Sequence, residues 1–113
     1  MPPSTVVSPR TKPDLLYEVN ISESEFQNFV VGILKRGGHS YWMLDPSRRA
    51  GIPDLMIVTK SGRVLFRELK RMRGLRPDTA QSDMMDKLAA NGSDVKTWYP
   101  DDLEGQIEKE LSE

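Results

Sequence analysis

The chain has 113 residues, 37% hydrophobic and 29% charged, which suits one globular domain with one core. No run approaches the roughly 20 apolar residues of a membrane span, and the absence of cysteine excludes disulfide scaffolds, cysteine nucleophiles and thiolate zinc sites. The single histidine, His39, leaves nothing for a His-rich metal centre, and the opening MPPSTVVSPRTKPD lacks the apolar run that marks export, so a cytoplasmic protein is expected.

The net charge of -1 conceals a sharp asymmetry. Residues 48–76 hold nine basic side chains against two acids, Asp54 and Glu68, for a local charge of +7. The remainder holds seven basic side chains against fifteen acids, for -8. A basic middle segment of this kind is what binding to a phosphate backbone requires.

In chain order, residues 1–18 contain four prolines and little periodicity, and are expected to form a flexible arm ahead of a domain over 19–113. A first helix is predicted from Ser22, which with Glu25 makes a capping box. Phe26, Phe29, Val30, Ile33 and Leu34 follow at helical spacing, and Gly37-Gly38 ends the helix. Residues 40–44 read as a short strand, followed by a polar loop with Arg48 and Arg49. Residues 55–59 and 63–70 read as a hairpin turning at Ser61-Gly62. Asp78 caps a second helix that runs to about Ala90 and closes at Asn91-Gly92. Residues 95–99 form a last strand, and Pro100-Asp101 opens an acidic helix with Glu104 in the capping position. The order is α-β-β-β-α-β-α, an α/β domain.

The two acids of the basic segment carry the chemistry. Asp54 begins one arm of the hairpin, while Glu68 and Lys70 share a face of the other, about 7 Å apart. Pairing through Ser61-Gly62 would bring two carboxylates and an ammonium together at one sheet edge. Adjacent carboxylates repel, and a divalent cation relieves them. Hard oxygen donors without sulfur or imidazole suit Mg²⁺ or Mn²⁺. Such an ion polarises a phosphodiester and acidifies water, Lys70 can orient that water or meet developing negative charge, and nearby arginines can hold the backbone.

Gly51-Ile52-Pro53-Asp54-Leu55 followed by Glu68-Leu69-Lys70 resembles the PD-(D/E)xK nuclease superfamily, and most closely its small VRR-NUC domains. Glu23 and Gln27 match that family's Glu-xxx-Gln pattern in the first helix, and Gln81 matches a glutamine opening the helix after the ExK strand. The resemblance runs from about Ser22 to the C-terminus. It implies an αβββαβ core with a mixed sheet flanked by helices, and a metal-dependent nuclease. Asp54, Glu68 and Glu23 would be metal ligands, Lys70 the catalytic lysine and Gln81 an active-site polar residue. Stand-alone members of the family are similar to phage-encoded dimeric enzymes that cut branched DNA. The implied protein is therefore a homodimeric, Mg²⁺- or Mn²⁺-dependent endodeoxyribonuclease acting on branched DNA such as four-way junctions, in a bacterium or a phage-infected cell. An RNA-cleaving enzyme on the same scaffold and a non-catalytic nucleic-acid-binding module are the alternatives.

Individual residues carry competing readings. Glu25 is occupied by the helix cap, whereas Glu23 lies three before Phe26 and seven before Val30, in line with the stripe that faces the sheet. Gln81 completes a capping box with Asp78 and also sits on the stripe of Met84, Met85 and Leu88. Arg48, Arg49, Arg71, Arg73 and Arg76 are read as phosphate contacts. Arg63 and Arg67 share strand parity with Leu65 and Leu69, so they are read as structural or as part of a dimer surface. His39 is expected to contact the helix C-terminus, and Tyr41, Trp42 and Trp98 are expected in the core.

Overall fold

The computed structural model describes residues 21–45, 51–72 and 78–113. The elements are α1 (Glu23–Arg36), β1 (Ser40–Met43), β2 (Leu55–Val58), β3 (Val64–Leu69), α2 (Thr79–Ala90), β4 (Asp94–Trp98), a 3-10 turn (Pro100–Leu103) and α3 (Gln106–Ser112). The expected arm and the basic residues Arg48, Arg49, Arg73 and Arg76 lie outside the described residues. No described helix is long and apolar enough to cross a membrane.

Helix α1 starts where its cap dictates. Ser22 Oγ accepts the Glu25 N–H at 3.1 Å, and Glu25 Oε1 accepts the Ser22 N–H at 3.0 Å. These bonds from Ser22 hold the Glu25 carboxyl below its ordinary range. At the other end Gly38 takes a left-handed φ of 76°, and the His39 N–H closes on the Leu34 carbonyl. Phe26, Val30 and Leu34 repeat every fourth residue and are fully buried.

The sheet runs β1-β2-β3-β4, antiparallel except for the parallel β3–β4 pair. The hairpin between β2 and β3 turns at Gly62 with φ 96°. Successive strand residues face opposite sides, so the register divides the sheet cleanly. Leu55, Ile57, Leu65, Leu69 and Trp98 face α1 and α3, and with Phe26, Val30, Leu34, Ile107 and Leu111 they make the core. Met56, Val58, Phe66 and Val95 face the other side and remain half-buried.

Arg67 is fully buried on the inner face. Its guanidinium meets Asp94 at 2.9 Å and Glu110 at 3.0 Å, and lies 5.1 Å from the centre of the Trp98 ring. Trp98 Nε1 donates to Glu110 Oε1 at 2.9 Å. Burial pushes the Glu110 carboxyl up, but bonds from Gln106, Trp98 and Arg67 outweigh it and leave the group below its ordinary value. Arg67 is therefore structural, and its burial removes it from any dimer surface. Arg63 is also tied down, donating to the Glu110 carbonyl at 2.7 Å.

Three expectations need correction. The C-terminal acidic helix is broken, because Gly105 adopts φ 107° between the 3-10 turn and α3. Asp102, not Glu104, closes the cap, with its Oδ2 accepting the Tyr99 N–H at 2.7 Å. The His39 ring lies against Gly37 at the end of α1, as expected, and also has a partner outside the helix. Its Nδ1 accepts the Lys60 N–H at 2.9 Å and so ties β1 to the hairpin. Trp98 is buried and Tyr41 packs on the core, but Trp42 is 49% exposed, because its position in β1 faces the thinly covered side of the sheet.

Candidate active site

β2 and β3 are the two inner strands, so the carboxylates meet at the ends of central strands rather than at the expected sheet edge. Leu55 pairs with Arg67, and the ladder continues one step to bring Asp54 opposite Glu68. Asp54 Oδ2 accepts the Leu69 N–H at 2.8 Å, and the Asp54 N–H donates to Glu68 Oε1 at 3.2 Å. The Glu68 carboxylate is thus positioned by the Asp54 backbone, and the Asp54 carboxylate by the backbone of Leu69. Pro53, which has no N–H to donate, precedes Asp54 and is buried.

Lys70 lies two residues beyond Glu68 on the same face, with Nζ 3.3 Å from Glu68 Oε2. Its N–H donates to the Trp98 carbonyl at 3.0 Å, which anchors the backbone while the ammonium stays partly exposed. Gln81 satisfies both sequence readings at once. Its Oε1 accepts the Asp78 N–H at 3.3 Å in the capping box, and its Nε2 donates to Glu68 Oε2 at 2.8 Å. The helix cap therefore orients the amide that reaches the acid.

Glu68 has a side chain only 2% exposed. Burial and then the neighbouring Asp54 push its pKa up to about 7, against the opposing pull of Lys70 and Gln81. A buried carboxyl that resists ionising beside a second carboxylate, even with Lys70 at 3.3 Å, is not fully compensated by that one ammonium. Asp54 Oδ1 receives no hydrogen bond among the described residues, so it is available as a donor to a cation. The pair fits a small hard divalent ion by donor chemistry. Yet no group of three or more acidic or histidine side chains gathers as an ion cage among the described residues, so most of the coordination shell would be water or substrate.

Glu23 does not join the pair. It is exposed in the first turn of α1. With Ile21, Ser22, Ser24 and Glu25 it lines a shallow recess against Arg71, at the Lys70 end of β3.

Gly51 is a site residue whose role the sequence concealed. It has φ 88°, and a Cβ there would strike the Ala80 carbonyl at the start of α2. That close approach sets α2 where Gln81 can reach Glu68. Its signal was a glycine three residues before Asp54, which has meaning only once α2 is known to pack against it.

No protein-family model and no curated protein matches the sequence. Comparison of structures is informative. A solved structure described as a VRR_NUC domain superposes with a TM-score of 0.68 at 22% identity, over 80% of this chain and 94% of that one. A second, described as a VRR_NUC domain protein, gives 0.66 at 19% identity, over 82% and 89%. The chain has the fold of the VRR_NUC domain.

Proposed function

We propose that this protein is a nuclease of the VRR-NUC type, hydrolysing phosphodiester bonds in DNA with a divalent metal. The observation that carries this reading is the convergence of Asp54, Glu68, Lys70 and Gln81 at the ends of β2 and β3, with Glu68 resisting ionisation. Asp54 and Glu68 would hold Mg²⁺ or Mn²⁺, with Glu23 an outer acidic contributor. When bound, the ion supplies Lewis acidity to the phosphodiester and a more acidic water. Lys70 directs its ammonium at the attacking water or at a phosphate oxygen, where negative charge grows as the P–O bond breaks. Gln81 holds Glu68 in place through an N–H that donates to the carboxylate. Arg71 is placed one residue past Lys70 to contact the backbone, and Arg48, Arg49, Arg73 and Arg76 extend that role.

Branched DNA is the proposed substrate and a homodimer the proposed active form, because symmetric cutting of a two-fold junction needs two sites related by a C₂ axis. The test is a labelled panel of single strand, duplex, flap and four-way junction, each with Mg²⁺, Mn²⁺ or EDTA, and Lys70→Ala alongside. Metal-dependent cutting that is lost in the variant supports the assignment. Equal cutting by Lys70→Ala and Asp54→Ala would reject it. Light scattering decides the dimer.

A further inference from the structure

We propose that Trp42 is a stacking platform for an unpaired nucleotide base next to the scissile phosphate; this rests on the nuclease reading above. Trp42 is 49% exposed, whereas the other tryptophan, Trp98, is 1% exposed. The register places Trp42 opposite Met56, and Met56 opposite Phe66. Asp54 lies two residues before Met56, Glu68 two after Phe66, and Lys70 two further on. Strand alternation therefore puts Trp42, Met56, Phe66, Asp54, Glu68 and Lys70 on one face of the sheet. Trp42 is displaced from Asp54 by about 7 Å along the strands and about 5 Å across them. That offset matches the separation between a phosphate and a base of the same strand segment.

The surroundings specify what Trp42 would meet. Its cross-strand neighbour Met56 is apolar and half-buried, and about half of the Trp42 surface is open to a base. The ammonium needed for phosphate lies farther in the same direction on the same face, at Lys70, about 13 Å along the strands and about 10 Å across them from Trp42. A nucleic-acid strand offers this pairing of apolar base and anionic backbone in the same order. Bases in an intact duplex already stack on both faces, so an exposed indole gains only from a base without a partner. The substrate class implied is DNA with an unpaired nucleotide at the cut, such as a flap, fork or junction, in preference to plain duplex. Stacking on one aromatic ring changes affinity on the order of tenfold, about 1.4 kcal/mol.

The experiment is tryptophan fluorescence of the whole protein in EDTA, titrated with a short oligothymidylate and with a blunt duplex. Binding is then read without cleavage, so failure of the nuclease reading leaves this test intact. Trp98 is buried, so quenching by the single strand reports Trp42. Trp42→Phe should lose the quench and, by anisotropy of dye-labelled DNA, keep single-strand affinity within about threefold, while Trp42→Ala in the same anisotropy assay should weaken it about tenfold and change duplex affinity less than twofold. Unquenched binding, or equal weakening toward both DNAs, overturns the proposal. So does a dimer that Trp42→Ala converts to a monomer in sedimentation, which would make this face a contact between copies. Failure to bind either DNA overturns it as well.

Discussion

Replacing Glu68 with Gln should stabilise the metal-free protein at alkaline pH, although it removes the central acid of the site. The amide carries no charge and its Oε1 can still accept the Asp54 N–H, while its Nε2 faces the Gln81 and Lys70 donors, a cost that is set against the gain below. Moving the Glu68 pKa from an ordinary 4.5 to about 7 means that the folded chain holds this proton more tightly than the unfolded chain does. The stability gained from that proton is complete below pH 4.5, is lost as pH rises, and is gone above about pH 7. At about 1.4 kcal/mol per pH unit the ionised acid costs about 3 kcal/mol. Water reaching the site beside the partly exposed Lys70, together with the donors that face the amide Nε2, trims the gain to about 2 kcal/mol. Glu68→Gln should therefore melt roughly 8 °C above the native protein at pH 8 in EDTA, and the gap should shrink to no more than about 2 °C at pH 5. Adding Mn²⁺ should reverse the order at pH 8, since a ligand at a hundred times its Kd stabilises by about 2.7 kcal/mol and the variant lacks an ionised ligand. Scanning calorimetry at the two pH values, with and without metal, measures both. A variant less stable than the native protein at pH 8 in EDTA would refute the assignment of strain to Glu68.

Other perturbations probe the supports of the site. Gly51→Ala forces a left-handed φ on alanine and drives a Cβ into the Ala80 carbonyl, so urea unfolding should show a loss of about 2–4 kcal/mol. The folded fraction should also lose cleavage, as α2 and Gln81 move off Glu68. Arg67→Leu leaves Glu110 buried with only the more distant Lys96, at 3.8 Å, as a cation and should cost about 3–5 kcal/mol, whereas adding Glu110→Leu should recover much of that loss in a double-mutant cycle. Ser22→Ala should cost about 1 kcal/mol, read from chemical denaturation. Because the Glu25 carboxyl is held low, its part of that cap is present above pH 4.5 and is lost as pH falls through its depressed folded value.

The parts of the molecule legible in the sequence were those fixed by local rules. Caps at Ser22 and Asp78, the glycine stop after Arg36 and the turn at Gly62 each depend on residues within four positions, and each marks an element boundary in the structure. The pairing of Asp54 with Glu68 was also accessible, because a tight turn sets the register of a hairpin. What escaped depended on contacts distant in the chain. Trp42 was expected in the core because tryptophan usually is, but its face of the sheet depends on how little α2 covers. Glu23 has the spacing of the buried stripe, yet it is the first residue of the helix and is exposed. His39 bonds to a backbone group 21 residues away, a partner no local pattern could name.

β3 shows why site and core are hard to separate in this protein. Its alternate residues serve opposite faces: Leu65, Arg67 and Leu69 hold the core, while Phe66, Glu68 and then Lys70 face the site. A slip of one residue would put Glu68 among the leucines and Arg67 beside Asp54. Leucine alone opposes such a slip weakly, since Phe66 and Val64 would enter the core at little cost. Arg67 opposes it strongly, because two carboxylates and the Trp98 ring receive it on one face only. The buried ion pairs are thus a register lock for the strand that carries Glu68 and Lys70. The double replacement Arg67→Leu with Glu110→Leu should then retain stability while losing cleavage rate, as Glu68 and Lys70 are held less firmly. Unchanged cleavage in a stable double variant would show that the hairpin turn alone sets the register.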